Sequence, residues 1–120
     1  MNAPGATDLA RLVAELKPAL SQERYKFEAT DRAILDPEMF ALVREDESLT
    51  AIRADPDGEW ARISMGVHSS LEAVGLTAAL STVLASAGIS ANVVAALHHD
   101  HIFVQWGRRD DALKALNSLA

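Results

Sequence analysis

The sequence predicts an α+β fold built on a ferredoxin-like β-α-β-β-α-β unit. Three patterns point there: a strand of clean two-residue alternation over residues 60–68, a helical stripe over 72–87, and two short strands, 91–97 and 102–106, around a polar turn. A C-terminal helix follows. The last strand of the unit is missing, and an N-terminal strand, 24–30 or 48–54, is available to complete the sheet edge.

From the start of the chain, Thr7 is placed to cap a helix whose apolar residues Leu9, Leu12, Val13 and Leu16 recur at helical spacing, with Asp8 near its positive end. Pro18 should stop it. Residues 24–30 alternate Tyr25, Phe27 and Ala29 against charged and polar neighbours, as a half-buried strand does. Asp36-Pro37 is expected to open a short helical turn carrying Met39, Phe40 and Val43. Residues 48–54 read as a strand. Asp55-Pro56-Asp57-Gly58 then has the chemistry of a hairpin turn, with Gly58 free to take a positive φ.

In residues 60–68 the set Ala61, Ile63, Met65, Val67 faces the core, and Arg62, Ser64, Gly66, His68 faces away. Ala73, Leu76, Leu80, Val83, Leu84 and Ala87 form one helical stripe, and Gly88 suits the position just past the helix end. Ala112, Leu113, Leu116 and Leu119 make the buried stripe of the last helix, with Asp110 and Asp111 at its N-terminal end. No linker or internal repeat divides the chain. Residues 1–120 are read as one domain, an N-terminal extension of about 1–58 completing a ferredoxin-like part of about 59–120.

Of 120 residues, 49% are apolar and 23% charged, the balance of a globular chain. The net charge of −6 and the scattered basic residues argue against nucleic-acid binding, which relies on clustered Lys and Arg. The weakly polar run 73–94 is broken by six hydroxyl or amide residues, so no membrane span is expected. The N-terminus lacks the pattern of an export signal and cysteine is absent, which fits a cytoplasmic protein.

The chemistry concentrates in residues 69–77. A helix N-terminus presents unpaired N–H groups and a partial positive charge that suit a carboxylate. The candidate ligand-binding set is Ser69, Ser70, Leu71, Glu72, Val74, Gly75, Leu76 and Thr77, joined by Asn92 at the start of the following strand. Gly75 permits close approach, Ser69 and Ser70 can hydrogen-bond a ligand, Glu72 can meet an ammonium group, and Val74 and Leu76 would supply selectivity. Each has a plainer role too: serines before a helix cap it, and Glu72 complements the dipole.

His98-His99-Asp100-His101 offers two like-facing imidazoles, His99 and His101, where zinc needs three or four protein ligands, so a polar hairpin tip is expected and no metal or cofactor. No nucleophile elbow, P-loop or dinucleotide fingerprint is present.

Val67-His-Ser-Ser-Leu-Glu-Ala-Val-Gly-Leu-Thr-Ala-Ala-Leu, followed by Leu84-Ala-Ser-Ala-Gly-Ile-Ser-Ala-Asn-Val-Val-Ala and His99-Asp-His-Ile-Phe-Val, resembles small bacterial stand-alone ACT-domain proteins of unassigned function. Gly75, and Gly88-Ile89 with Val94, match the recurring marks of ACT domains. The resemblance implies a ferredoxin-like antiparallel sheet with helices packed on one face, extended by the N-terminal helix and strands. It also implies a non-catalytic regulatory or sensor module for an amino acid or related carboxylate, in a homodimer or larger oligomer. The alternative is a structural interaction module that binds no metabolite.

Overall fold

The computed structural model describes residues 8–120. The chain runs α1 (Leu9–Ala14), β1 (Pro18–Thr30), β2 (Met39–Arg44), β3 (Leu49–Ala54), β4 (Trp60–Met65), α2 (Leu76–Ser86), β5 (Asn92–Ala95), β6 (Asp100–Gln105), a 3-10 turn (Trp106–Arg108) and α3 (Arg109–Asn117). The strands form one six-stranded sheet in the order β2-β3-β1-β4-β6-β5, every neighbouring pair antiparallel. β1 therefore fills the edge left open by the missing last strand, and the β1-β4-β6-β5 block has the ferredoxin-like arrangement. β3 and β2 extend it.

Alternation along β4 sends Ala61, Ile63 and Met65 to one face, where Ile102 and Val104 of β6 join them. The three helices cover this face. Leu12 and Leu16, Leu76, Leu80 and Leu84, and Ala112 and Leu116 are all buried against it. The opposite face carries Tyr25, Ile52 and Phe103, packed with Phe40, Trp60 and Val94. Phe40 of β2 stacks edge-on against His101 of β6 with ring centroids 4.9 Å apart. Four spacings of about 4.8 Å would hold these strands roughly 19 Å apart in a flat sheet. The sheet is therefore strongly curled, and this aromatic cluster fills its concave side.

Several local expectations are corrected. Thr7, expected to cap α1, lies outside the described residues; Asp8 accepts from the Ala10 N–H at 3.0 Å. The helix ends at Ala14, so Pro18 opens β1 rather than closing α1. Residues 39–44 are a strand and not a helical turn. Pro37 biases Asp36 away from helical geometry, and the Asp36 carboxylate takes the N–H groups of Glu38 and Met39 at 3.0 and 3.1 Å. That turn feeds the chain onto the free edge of β3.

The 55–58 turn forms, with the Gly58 N–H donating to the Asp55 carbonyl at 2.9 Å. It joins no hairpin, because β1 lies between β3 and β4. Positive φ among the described glycines is confined to Gly75 and Gly88, so Gly58 is required by crowding instead. Gly88, at φ +71, closes α2 as expected, with the Ile89 N–H donating to the Leu84 carbonyl at 2.9 Å. The start of α2 is late. Ser70 holds residues 70–73 in a separate turn through the Glu72 and Ala73 N–H groups, at 3.1 and 3.0 Å, so Glu72 and Ala73 stand outside the helix.

Candidate ligand cleft at the start of α2

α2 begins on Gly75, whose left-handed backbone (φ 96, ψ −15) no β-branched residue would adopt comfortably. The first backbone donor satisfied inside the helix is the Ala79 N–H, bonded to the Gly75 carbonyl at 2.9 Å, and no side chain caps the turn before it. The open donors face a narrow cleft of about 60 Å³. Ser69, Ser70, Leu71, Ala73, Leu76 and Thr77 line one side, and Ala95 and Asp100 the other.

Asp100 gives the cleft its charge. It sits opposite Ala95 in the β5–β6 ladder, on the face that carries Ile102, and is only 8% exposed. Burial raises its carboxyl above the usual range, against the hydrogen bond of Ser69 and the nearby positive charge of His99. Ser69 is itself buried. The cleft thus sets uncapped amide donors against a desolvated carboxyl.

Of the residues expected here, Ser69, Ser70, Leu71, Leu76 and Thr77 are brought together. Glu72 and Val74 are exposed and line nothing in the cleft. Gly75 forms the helix start, but a Cβ on it would meet Leu9 Cδ2 at 3.1 Å and not the cleft. Asn92 pairs with Phe103 and so lies on the concave face of the sheet. Asp100, which also lines the cleft, is not among the residues expected there. Its signal is in the sequence: counting back from Ile102 by the period of a strand puts this acid on the helix-covered face.

The histidines also separate. His101 Nδ1 lies 2.7 Å from Ser64 Oγ on the concave side, whereas His99 Nδ1 lies 3.2 Å from the Val67 carbonyl oxygen and its ring neighbours His68 and His98. The expected like-facing pair does not form, because His99 belongs to the turn and not to the ladder of β6. Among the described residues no group of His, Cys, Asp or Glu side chains is arranged to hold a metal. Two wider surface grooves, of about 450 and 320 Å³, share Arg24. Its Nε already donates to the Gly58 carbonyl at 2.7 Å, and its guanidinium stacks 4.7 Å over Trp106.

No described helix is long and apolar enough to cross a membrane. Comparison with solved structures finds a Vibrio cholerae protein of unknown function, described as a possible transport protein, at 40% identity and TM-score 0.75. The match covers 88% of this chain and 91% of that one. An Agrobacterium tumefaciens protein shares the fold at 19% identity and TM-score 0.59, over 79% of this chain and 80% of its own. No curated protein matches. Sequence profiles of the ACT domain match residues 57–118 and, separately, residues 4–68. The chain belongs to the ACT-domain family, whose members are in general regulatory modules that bind small ligands.

Proposed function

We propose that this protein is a non-catalytic sensor or regulatory module, acting in the cytoplasm, that binds the head group of an amino acid or related small carboxylate in the cleft at the start of α2. One observation carries the reading: the uncapped first turn of α2 and Asp100 line the same narrow cleft. A zwitterion has a carboxylate for the amide donors and an ammonium for Asp100, so binding would restore the charge that burial disfavours. Asp100 takes the role first considered for Glu72. Ser69, Ser70 and Thr77 would supply hydroxyls, and Leu71 and Leu76 apolar wall.

The cleft, at about 60 Å³, is small enough to suit a head group and leave the rest of the ligand outside. Calorimetry across the amino acids tests this. Thr77→Asp places an anion at the exposed mouth, where it suits the helix dipole but repels a carboxylate, and should weaken binding at least about tenfold with folding intact. Wild-type binding that Thr77→Asp and Asp100→Asn leave unchanged would remove the cleft from consideration. Gly75→Val is a poor probe, since it strains the helix start and crowds Leu9.

The second reading, an interaction module without a metabolite, draws on the outer face of α2. Thr77, Ala78, Ser81, Thr82, Ala85 and Ser86 give that side no charge, which suits a covered surface in a homo-oligomer. An oligomeric face is compatible with either reading, and binding of an amino acid would exclude the second.

A further inference from the structure

The concave face holds a polar cluster that the cleft at α2 does not use. Arg62 lies among aromatic rings, its guanidinium carbon 4.9 Å from the centroid of Phe40 and 5.5 Å from that of Tyr25. Nε donates to the Tyr25 hydroxyl at 3.1 Å and Nη1 to Ser64 Oγ at 2.7 Å. Arg11, Lys26, Arg53 and Arg108 each face a carboxylate. Arg62 has none among the described residues. A half-buried cation without a counter-charge loses hydration that ring faces return only in part.

The hydrogen-bond directions leave two donors over. A guanidinium only donates, so Ser64 Oγ accepts from Arg62; its hydroxyl proton has no other acceptor among the described residues and is assigned to Nδ1 of His101, 2.7 Å away. With Nδ1 accepting, the ring proton belongs to Nε2. Nε2 of His101 and Nη2 of Arg62 find no protein acceptor among the described residues. Both side chains rest against the ring of Phe40. Burial, and after it the positive charge of Arg62, hold the His101 imidazole below its usual range. Around this donor pair the surface is apolar: Val94 lies opposite His101 in the ladder, and the partly exposed Phe27 ring packs on Trp60 and Phe103.

We infer that the concave face is a second ligand site, separate from the cleft, that takes the carboxylate of a small apolar or aromatic acid on Arg62 and His101, with Phe40 as its apolar wall. The donors fit a planar anion, and the rings suit a hydrocarbon body rather than a hydrated inorganic ion.

Benzoate is the probe, followed by amide NMR on the wild type and on Arg62→Met, Arg62→Gln, His101→Gln and Thr77→Asp. Saturable shifts should map to β4, β6 and Phe40, with affinity reduced at least about tenfold in Arg62→Met and His101→Gln and unchanged in Thr77→Asp. Arg62→Gln preserves polar contact with Tyr25 and Ser64 and serves where the methionine variant does not fold. Three results would each overturn the site: no saturable shift up to about 10 mM, roughly 2.7 kcal/mol of binding; shifts confined to residues 69–77; or equal affinity in the folded Arg62 variants. Loss of amino-acid binding in Thr77→Asp with benzoate binding retained separates this site from the cleft.

Discussion

The backbone of Tyr25 leaves no room for a side chain at Gly58: a Cβ there would stand 2.3 Å from the Tyr25 carbonyl oxygen and 2.7 Å from its nitrogen. Tyr25 lies mid-strand, paired with Ala54 of β3 on one side and Trp60 of β4 on the other. Neither partner can yield without breaking a ladder. Gly58→Ala is therefore expected to cost about 3 kcal/mol, the upper end of overpacking penalties. Urea denaturation checks it, with Gly107→Ala as control, since nothing lies within 4 Å of a Cβ there.

Asp100 should trade stability for binding. Its carboxyl is raised by burial, so the folded state holds that proton more tightly than the unfolded chain. The corresponding stability is present in full below the ordinary unfolded value of about 3.9 and is lost as pH rises through the raised folded value. Asp100→Asn stays neutral throughout. At neutral pH it is expected to melt above the wild type, the gap closing as pH falls toward about 4. The same variant should lose amino-acid affinity in calorimetry. An equal gap at all pH values would show that the carboxyl titrates normally.

The join between β1, β2 and β3 rests on Asp36. One carboxylate oxygen takes two backbone N–H groups and the other pairs with Arg53 Nη2, while Arg53 Nη1 reaches Glu28 at 3.5 Å. Burial by itself would raise the Asp36 carboxyl, but the hydrogen bonds of Arg53, Glu38 and Met39 and the charge of Arg53 hold it below its usual value. Its contribution is thus present above the ordinary carboxylate range and lost as pH falls through the lowered value. Asp36→Ala should lower the melting temperature at pH 7 more than at pH 3. Hydrogen exchange in β2 should quicken before that in β4, because β2 is an edge strand with one neighbour.

These three sites show where the sequence was readable. Strand β4 and the stripe of α2 are fixed by local periodicity and formed over most of their expected lengths, though β4 stops at Met65, short of Val67, and α2 starts at Leu76, beyond Ala73. The missing ferredoxin-like edge was foreseeable from element order, though which strand filled it was not, because pairing between β1 and β4 is a long-range choice. β2 misled. Met39, Phe40 and Val43 fit a helical turn as well as a strand, and only the free edge of β3 decided between them. In the cleft, residues adjacent in sequence came together, whereas Asp100 arrives from a strand some 25 residues further on. Arg62 was legible only as a member of an outward-facing strand set, and His101 only as part of a polar turn. Their shared ring, Phe40, crosses from the far edge of a curled sheet, and curl has no local signature.

The outer face of α2 predicts association. Nothing from Leu76 to Ser86 carries a charge, and Leu71 and Val74 beside the helix start are 66% and 83% exposed. Charged residues ordinarily mark the solvent side of a helix, and their absence over three turns, next to two bare aliphatic side chains, describes a surface kept for contact. A second copy is the simplest occupant. Sedimentation at about 20 μM should therefore give a dimer or larger species, as an interface of roughly 8 kcal/mol would at that concentration. Ala78→Glu and Ala85→Glu put carboxylates on the exposed side without touching Leu80 or Leu84, so each should shift the protein to monomer while its far-UV circular dichroism stays unchanged. A wild type that sediments as a monomer would show that the face meets solvent after all.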